Sequence, residues 1–351
     1  MNSRYYNFDL LRVICTLCVI ILHVSALWIH ANNDSSVLGG YFFSEIAYVF
    51  NGISRFAVPC FFMLSGGLAF ANSKNRDTLY YYTKKKNIII TTIIFSLLYA
   101  LYVFLKRFCK GYDFNIVVCG TIWELFSGSI FYHLWFLYVI IGIYILTPFL
   151  FEFKNKVSSK CYAYVIWMGM AFSSIAYYSS SHMLMWDIGY IVLFIPYYVL
   201  GNSIFDNWQQ KQCTSNYKAL INIVICVLLL VILSVYSCRY MSSYYTDIVN
   251  PLSPIIIFIS YVIMKNFNCL RVKEIMVISY LSKYSLYIFL FHAGVLDFCR
   301  LLLLKYYPVI YAHDFLGISA LFVICFLISL VCAILYEKLY LFFSLRICIK
   351  K

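Results

Sequence analysis

About ten stretches of this chain run apolar for the length a bilayer demands. They fall near 10–29, 46–71, 88–105, 131–151, 161–178, 188–204, 219–236, 251–264, 278–298 and 315–345. A helix needs about 20 apolar residues to cross the hydrocarbon core. Within lipid every backbone polar group must be bonded internally, which favours helices for runs of this length. The pattern therefore predicts an all-α integral membrane protein of about ten transmembrane helices. The eighth run is short and opens at Pro251 and Pro254, and the last is long enough to tilt or to run on past the membrane. Composition agrees: charged residues make up 12% of the chain and hydrophobic residues 64%, whereas a soluble domain carries about 25% charge.

The net charge of +13 would suggest a nucleic-acid partner in a soluble protein. Here the basic residues sit in short loops between apolar runs, where they set orientation. With the N-terminus inside, the outer loops hold only Lys106, Arg107, Lys110, Arg239, Arg300 and Lys305, and Arg12, Arg55 and Lys338 fall within helices. All the other Lys and Arg lie on the inner side, a bias of three to one that predicts an N-in, C-in topology. The segment 106–130 fits this least well, and its Trp123–Phe126 stretch reads as an interfacial or re-entrant piece. The first apolar run, interrupted by Arg12 and followed by no small-residue cleavage pattern, reads as a retained helix rather than a signal peptide. No long soluble loop interrupts the sequence, so residues 1–351 are expected to form one transmembrane domain.

Charge inside a bilayer is costly, so each intramembrane ionisable group is a functional candidate. The first helix carries Asp9 at its mouth, then Arg12 and His23. Eleven residues is close to three turns, which puts Arg12 and His23 on one helix face about 16 Å apart. The second run holds Asn51-Gly-Ile-Ser-Arg55-Phe-Ala-Val-Pro59, ending in Ser65-Gly66-Gly67. Pro59 removes a helix hydrogen bond and favours a kink, and the glycines permit close backbone approach. His133-Leu-Trp135 opens the fourth run, and Tyr284-Ser285-Leu-Tyr287 leads to His292 in the ninth. Each has a plainer reading beside the functional one. Arg12 could snorkel to the interface, the histidines could be packed interhelical hydrogen-bonding residues, and the aromatics could form an interfacial belt.

The chain contains 14 cysteines, most of them within apolar runs where they pack as small hydrophobes. Cys15 and Cys18 form a C-x-x-C with no second pair at zinc spacing, so no metal is expected. No GxxxxGK[ST] or GxGxxG occurs, which argues against nucleotide-driven work. What remains is imidazole, guanidinium and hydroxyl. A histidine can activate a hydroxyl as general base, and an arginine can stabilise charge developing on an oxygen. That pair suits acyl transfer to an alcohol. The basic stretch Lys84-Lys85-Lys86, with Arg76 and Arg12, could receive a phosphorylated donor. Buried Arg and His would equally suit a transporter or flippase for an envelope glycan precursor.

These motifs together resemble the acyltransferase-3 family of bacterial membrane O-acyltransferases. The Asp9-Leu-Leu-Arg12 opening, the R-x10-H of Arg12 and His23, Ser54-Arg55-Phe-Ala-Val-Pro59-Cys-Phe-Phe-Met-Leu-Ser65-Gly66, His133-Leu-Trp135-Phe and Tyr284-Ser285-Leu-Tyr287 followed by His292 occur in the family's order. The resemblance implies acetyl-CoA as a cytoplasmic donor and a hydroxyl of a cell-envelope glycan or lipid-linked sugar as acceptor, in a bacterial inner membrane. It implies that His23, Arg12 and Arg55 are catalytic. The expected donor site comprises Arg12, Ser65, Gly66, Arg76 and Lys84, and the expected acceptor site His133, Trp135, Tyr287 and His292. Some members carry an extra hydrolase-like domain; none is legible here, so transfer is expected within the membrane domain.

Overall fold

A computed structural model describes residues 5–33, 45–179, 188–210, 215–306 and 314–348. Among the described residues there is no β-strand, and the helices are α1 (Tyr6–Asn33), α2 (Glu45–Ile53), α3 (Ala57–Ala71), α4 (Thr78–Cys109), α5 (Phe114–Phe126), α6 (Trp135–Lys156), α7 (Ser159–Ser179), α8 (Ile188–Gln210), α9 (Asn216–Tyr240), α10 (Tyr245–Ile248), α11 (Pro254–Cys269), α12 (Met276–Tyr306) and α13 (Asp314–Cys348). Seven described segments are long and apolar enough to cross a membrane: Tyr6–His30, Glu45–Ala71, Thr78–Cys109, Trp135–Lys156, Asn216–Tyr240, Met276–Leu303 and Asp314–Leu339. The other three expected runs coincide with helices α7, α8 and α11. Of these α11 is apolar but only 16 residues long.

Large aliphatic residues on these helices face outward. Leu97, Leu98, Leu101 and Leu105 on α4, Leu228, Leu229 and Ile232 on α9, and Ile324, Leu327 and Val331 on α13 are all exposed. Rows of this kind would drive aggregation in water and are at rest in lipid. The chain is an all-α integral membrane protein.

The described chain forms two compact units, Met1–Phe61 with Cys213–Lys351, and Phe62–Gln212. In the first, α1 packs on α2, α12 and α13, α12 packs on α13, and α9 packs on α2 and α11. Its core includes Ile20, Val24 and Trp28 of α1, Ile288 and Leu296 of α12, and Leu321 and Cys325 of α13. At Gly52 a β-carbon would fall 1.8 Å from Ser234 Oγ, so α2 and α9 approach as closely as glycine allows. In the second unit α7 packs on α8, α6 on α8, and α4 on α5. A β-carbon at Gly66 would lie 1.8 Å from the Tyr198 carbonyl oxygen, and one at Gly201 would lie 1.9 Å from that of Met63. These two glycines let α3 and α8 cross backbone to backbone.

Local chemistry sets the boundaries. Asp77 caps α4 by accepting from the amides of Leu79 and Tyr80, Asp113 caps α5 through Asn115 and Ile116, and Ser253 caps α11, with Pro254 at its first position. Two expectations change in detail. Lys84–Lys86, read as an inner loop, lie inside the early turns of α4, because the Asp77 cap starts the helix ahead of them and lysine is a good helix former. The second run is not one helix: it breaks at Ser54–Phe56, where the amides of Ser54, Arg55 and Ala57 bond three residues back in a 3₁₀-like turn. Pro59 has no N–H to offer the Arg55 carbonyl, so the ladder cannot run through this point, and Pro59 then sits in the first turn of α3, where it is tolerated. The interfacial piece expected near Trp123–Phe126 is α5, a 13-residue helix about 20 Å long. It exposes Ile116, Ile122, Trp123 and Phe126 and is tied to α4 by a 2.7 Å ion pair between Arg107 and Glu124.

Candidate active site

Two polar clusters in the first unit lie about three turns apart along the α1–α12 interface. The first surrounds Arg12. Its Nη1 donates to Asp9 Oδ1 at 3.1 Å and to Ser282 Oγ at 2.8 Å, and the Ser282 hydroxyl in turn donates to Asp9 Oδ1 at 2.6 Å. One serine thus completes a triangle that holds the guanidinium. The Arg12 side chain remains 29% exposed. It opens into a cleft of about 590 Å³ walled by Asp9, Arg12, Glu274, Met276, Ser279, Tyr280, Ser282 and Lys283. Tyr6 donates to Glu274 at 3.0 Å on the rim. Arg12 and Lys283 put two cations on the wall of the cleft. Asp9 pairs with Arg12, and Lys283 pairs with Glu337 at 2.7 Å, so the cleft sets two cations among carboxylates.

The second cluster surrounds His23. Its ring lies 5.3 Å from that of His292, with the planes tilted by 31°. His292 is fully buried, and its Nδ1 is 2.5 Å from the Phe289 carbonyl oxygen. A carbonyl only accepts, so Nδ1 is the donor in this contact. Arg55, at the break between α2 and α3, is close enough for its charge to act on His23. Its Nε and Nη2 both donate to Asn51 Oδ1, at 2.9 and 2.6 Å. The Asn51 amide donates to the Leu22 carbonyl at 3.0 Å, on the turn of α1 that carries His23.

These contacts fix the relation of α1 and α12. Arg12 meets Ser282 and His23 meets His292, so positions eleven apart on one helix match positions ten apart on the other. The two helices run parallel and nearly in step. Both Arg12 and His23 face α12, as the eleven-residue spacing on α1 requires.

The remaining expected residues lie elsewhere. In the first unit Tyr287 packs against the α1–α12–α13 core, its ring 5.1 Å from Tyr336 of α13. In the second unit His133 is buried in the turn before α6, with its ring edge-on to Tyr99 at 5.1 Å and to Phe131 at 5.7 Å. Trp135 starts α6 against Tyr190 and Phe194. Ser65 is half-buried on α3, and the bare face of Gly66 is filled by the Tyr198 carbonyl. Lys84 is exposed beside Tyr80, while its neighbour Lys85 sits 3.9 Å above the Tyr144 ring. The side chain of Arg76 lies outside the described residues.

Asn51, Ser282 and Tyr245 join these clusters without having been singled out from the sequence. Asn51 stands four residues before Arg55, a spacing that puts the two on one helix face and could have drawn notice. Ser282 and Tyr245 carried no such signal, because their partners are more than 190 residues away in sequence.

Neither the curated proteins nor the solved structures include a match to this chain. The family model described as an acyltransferase domain matches residues 5–337, nearly the whole length. The chain therefore belongs to the acyltransferase-3 family and is a multi-pass membrane acyltransferase that draws its acyl group from a donor cosubstrate.

Proposed function

We propose that this enzyme is an O-acetyltransferase of a bacterial inner membrane. It moves an acetyl group from cytoplasmic acetyl-CoA to a hydroxyl of a cell-envelope glycan or its lipid-linked precursor. The observation that carries this reading is the division of labour along α1: a cation-bearing cleft at Arg12, and an imidazole pair with a guanidinium at His23. The order and spacing of the motifs resemble those of the enterobacterial common antigen O-acetyltransferase, and an envelope sugar is the acceptor we infer from that resemblance. The whole chain acts as one transferase domain, with N- and C-termini on the cytoplasmic side.

The donor's phosphates dock at Arg12. Its pantetheine arm spans the roughly 16 Å between Arg12 and His23. Tyr287 and His292 of α12 serve the acceptor, with His292 beside its reacting hydroxyl. His23 takes the proton of that hydroxyl as its oxygen forms a bond to the thioester carbonyl carbon. The carbonyl oxygen becomes an oxyanion, and Arg55 stabilises it. Collapse breaks the carbon–sulfur bond, and the departing thiolate receives the proton from His23. No metal takes part.

His23→Ala should abolish acyl transfer while leaving expression and membrane insertion intact. The assay is release of free thiol from acetyl-CoA by purified protein with an envelope glycan acceptor. Wild-type turnover by the variant would refute the role given to His23. Acceptor-stimulated thiol release by the wild-type enzyme would also set it apart from a flippase.

A further inference from the structure

Arg55 can stabilise charge on the reacting oxygen only if its guanidinium points there when the oxyanion forms, and a long side chain at a helix break has many rotamers to lose. The structure supplies the restraint. Asn51 Oδ1 accepts from both Nε and Nη2 of Arg55, at 2.9 and 2.6 Å, and also receives the Tyr245 hydroxyl at 3.3 Å. The Asn51 amide nitrogen donates to the Leu22 carbonyl at 3.0 Å and reaches Ser25 Oγ at 3.4 Å. Asn51 is itself 2% exposed. Four of its neighbours therefore come from three separate elements: Arg55 from the break after α2, Leu22 and Ser25 from α1, and Tyr245 from α10. The one Tyr245 hydroxyl proton is shared between the Tyr48 carbonyl at 2.8 Å and Asn51 as the longer arm, and its ring stands edge-on to that of Tyr48 at 4.6 Å. Burial pushes the Tyr245 phenol above its ordinary pKa, so it remains a protonated donor.

We propose that Asn51 is a positioning residue that fixes the Arg55 guanidinium relative to the His23 imidazole, with Tyr245 bracing Asn51 from behind. The proposal rests on the role of Arg55 given above. A carboxamide suits this position, because it is neutral. Its oxygen can take two N–H groups from Arg55 while its nitrogen bonds the carbonyl next to His23. An aspartate would still hold Arg55 but would neutralise its charge and place lone pairs against the Leu22 carbonyl. A leucine would leave the guanidinium without this anchor.

The test is a double-mutant cycle on the purified enzyme, with kcat and the KM for the acyl donor measured separately. Arg55→Ala should lower kcat by about 10²–10³-fold, the cost of one missing oxyanion donor. Asn51→Ala should lower kcat by roughly tenfold to a hundredfold, the cost of a small misplacement, with donor KM within about twofold. The double variant should be no worse than Arg55→Ala alone, since nothing is left to position. Tyr245→Phe, a gentler change that keeps the ring, should lower kcat about two- to fivefold by the same route and show no effect in the Arg55→Ala background. It carries the test should Asn51→Ala fold poorly. If Arg55→Ala retained wild-type kcat, the role of Arg55 would fall. If Arg55→Ala were impaired but the Asn51 and Tyr245 losses appeared in donor KM, or multiplied with the Arg55 loss, the role of Arg55 would stand and the positioning proposal would be overturned.

Discussion

At the residue scale, short polar side chains hold the longer charged ones: Ser282 bonds Arg12, and Asn51 bonds Arg55. Arg12 illustrates this. Its spacing from His23 was legible in the sequence, because a helical period is a local property. Its partner Ser282 was not, since serines are common and only packing of α1 on α12 selects this one. Ser282 both accepts from Arg12 and donates to Asp9. Ser282→Ala removes both bonds and frees the guanidinium to swing. The donor KM should rise about tenfold, equivalent to about 1.4 kcal/mol for a hydrogen bond to a charged group, with kcat little changed. Steady-state kinetics against donor concentration checks this; an unchanged KM would show that the triangle is structural only.

At the scale of elements, two helix interfaces carry the strictest demands. The parallel α1–α12 pair keeps Arg12 level with Ser282 and His23 level with His292. The α3–α8 crossing places Gly66 against the Tyr198 carbonyl and Gly201 against the Met63 carbonyl. Backbone cannot move aside as a flexible side chain can. Gly66→Ala should therefore cost about 1–3 kcal/mol through overpacking. A thermal-unfolding measurement in detergent should show the melting temperature fall. Donor KM measured below that temperature should stay within about twofold, because the Tyr198 carbonyl fills the bare face of the glycine; a larger rise would show that Gly66 also meets the donor. The break at Ser54–Phe56 is a third instance. Pro59 announced a kink, but its place four residues earlier, with Arg55 at the turn, follows from which carbonyl loses its partner.

At the scale of the whole molecule, the outward-facing apolar rows suit insertion into lipid, and the uneven spread of basic residues among the loops predicts the orientation. The N-in, C-in orientation is testable with reporter fusions. Alkaline phosphatase, active only outside the cytoplasm, should be active when joined after Gly111 and inactive when joined after Val157. The opposite pattern would invert the topology and place Arg12 on the wrong side for a cytoplasmic donor.

The sequence by itself determined the fold class, the helical runs and their approximate limits, and the family. It also determined that Arg12 and His23 share a helix face. These follow from apolar length, 3.6-residue periodicity and short motifs, all of which are local. Tertiary structure decided the rest. His292 pairs with His23 across 269 positions of sequence, Ser282 locks Arg12, and Asn51 links Arg55 to the turn of α1 that carries the imidazole. Hydropathy marks a residue as buried but does not say which neighbour it meets. That is settled only when helices far apart in sequence pack, and polar groups removed from water must find partners in what lies beside them.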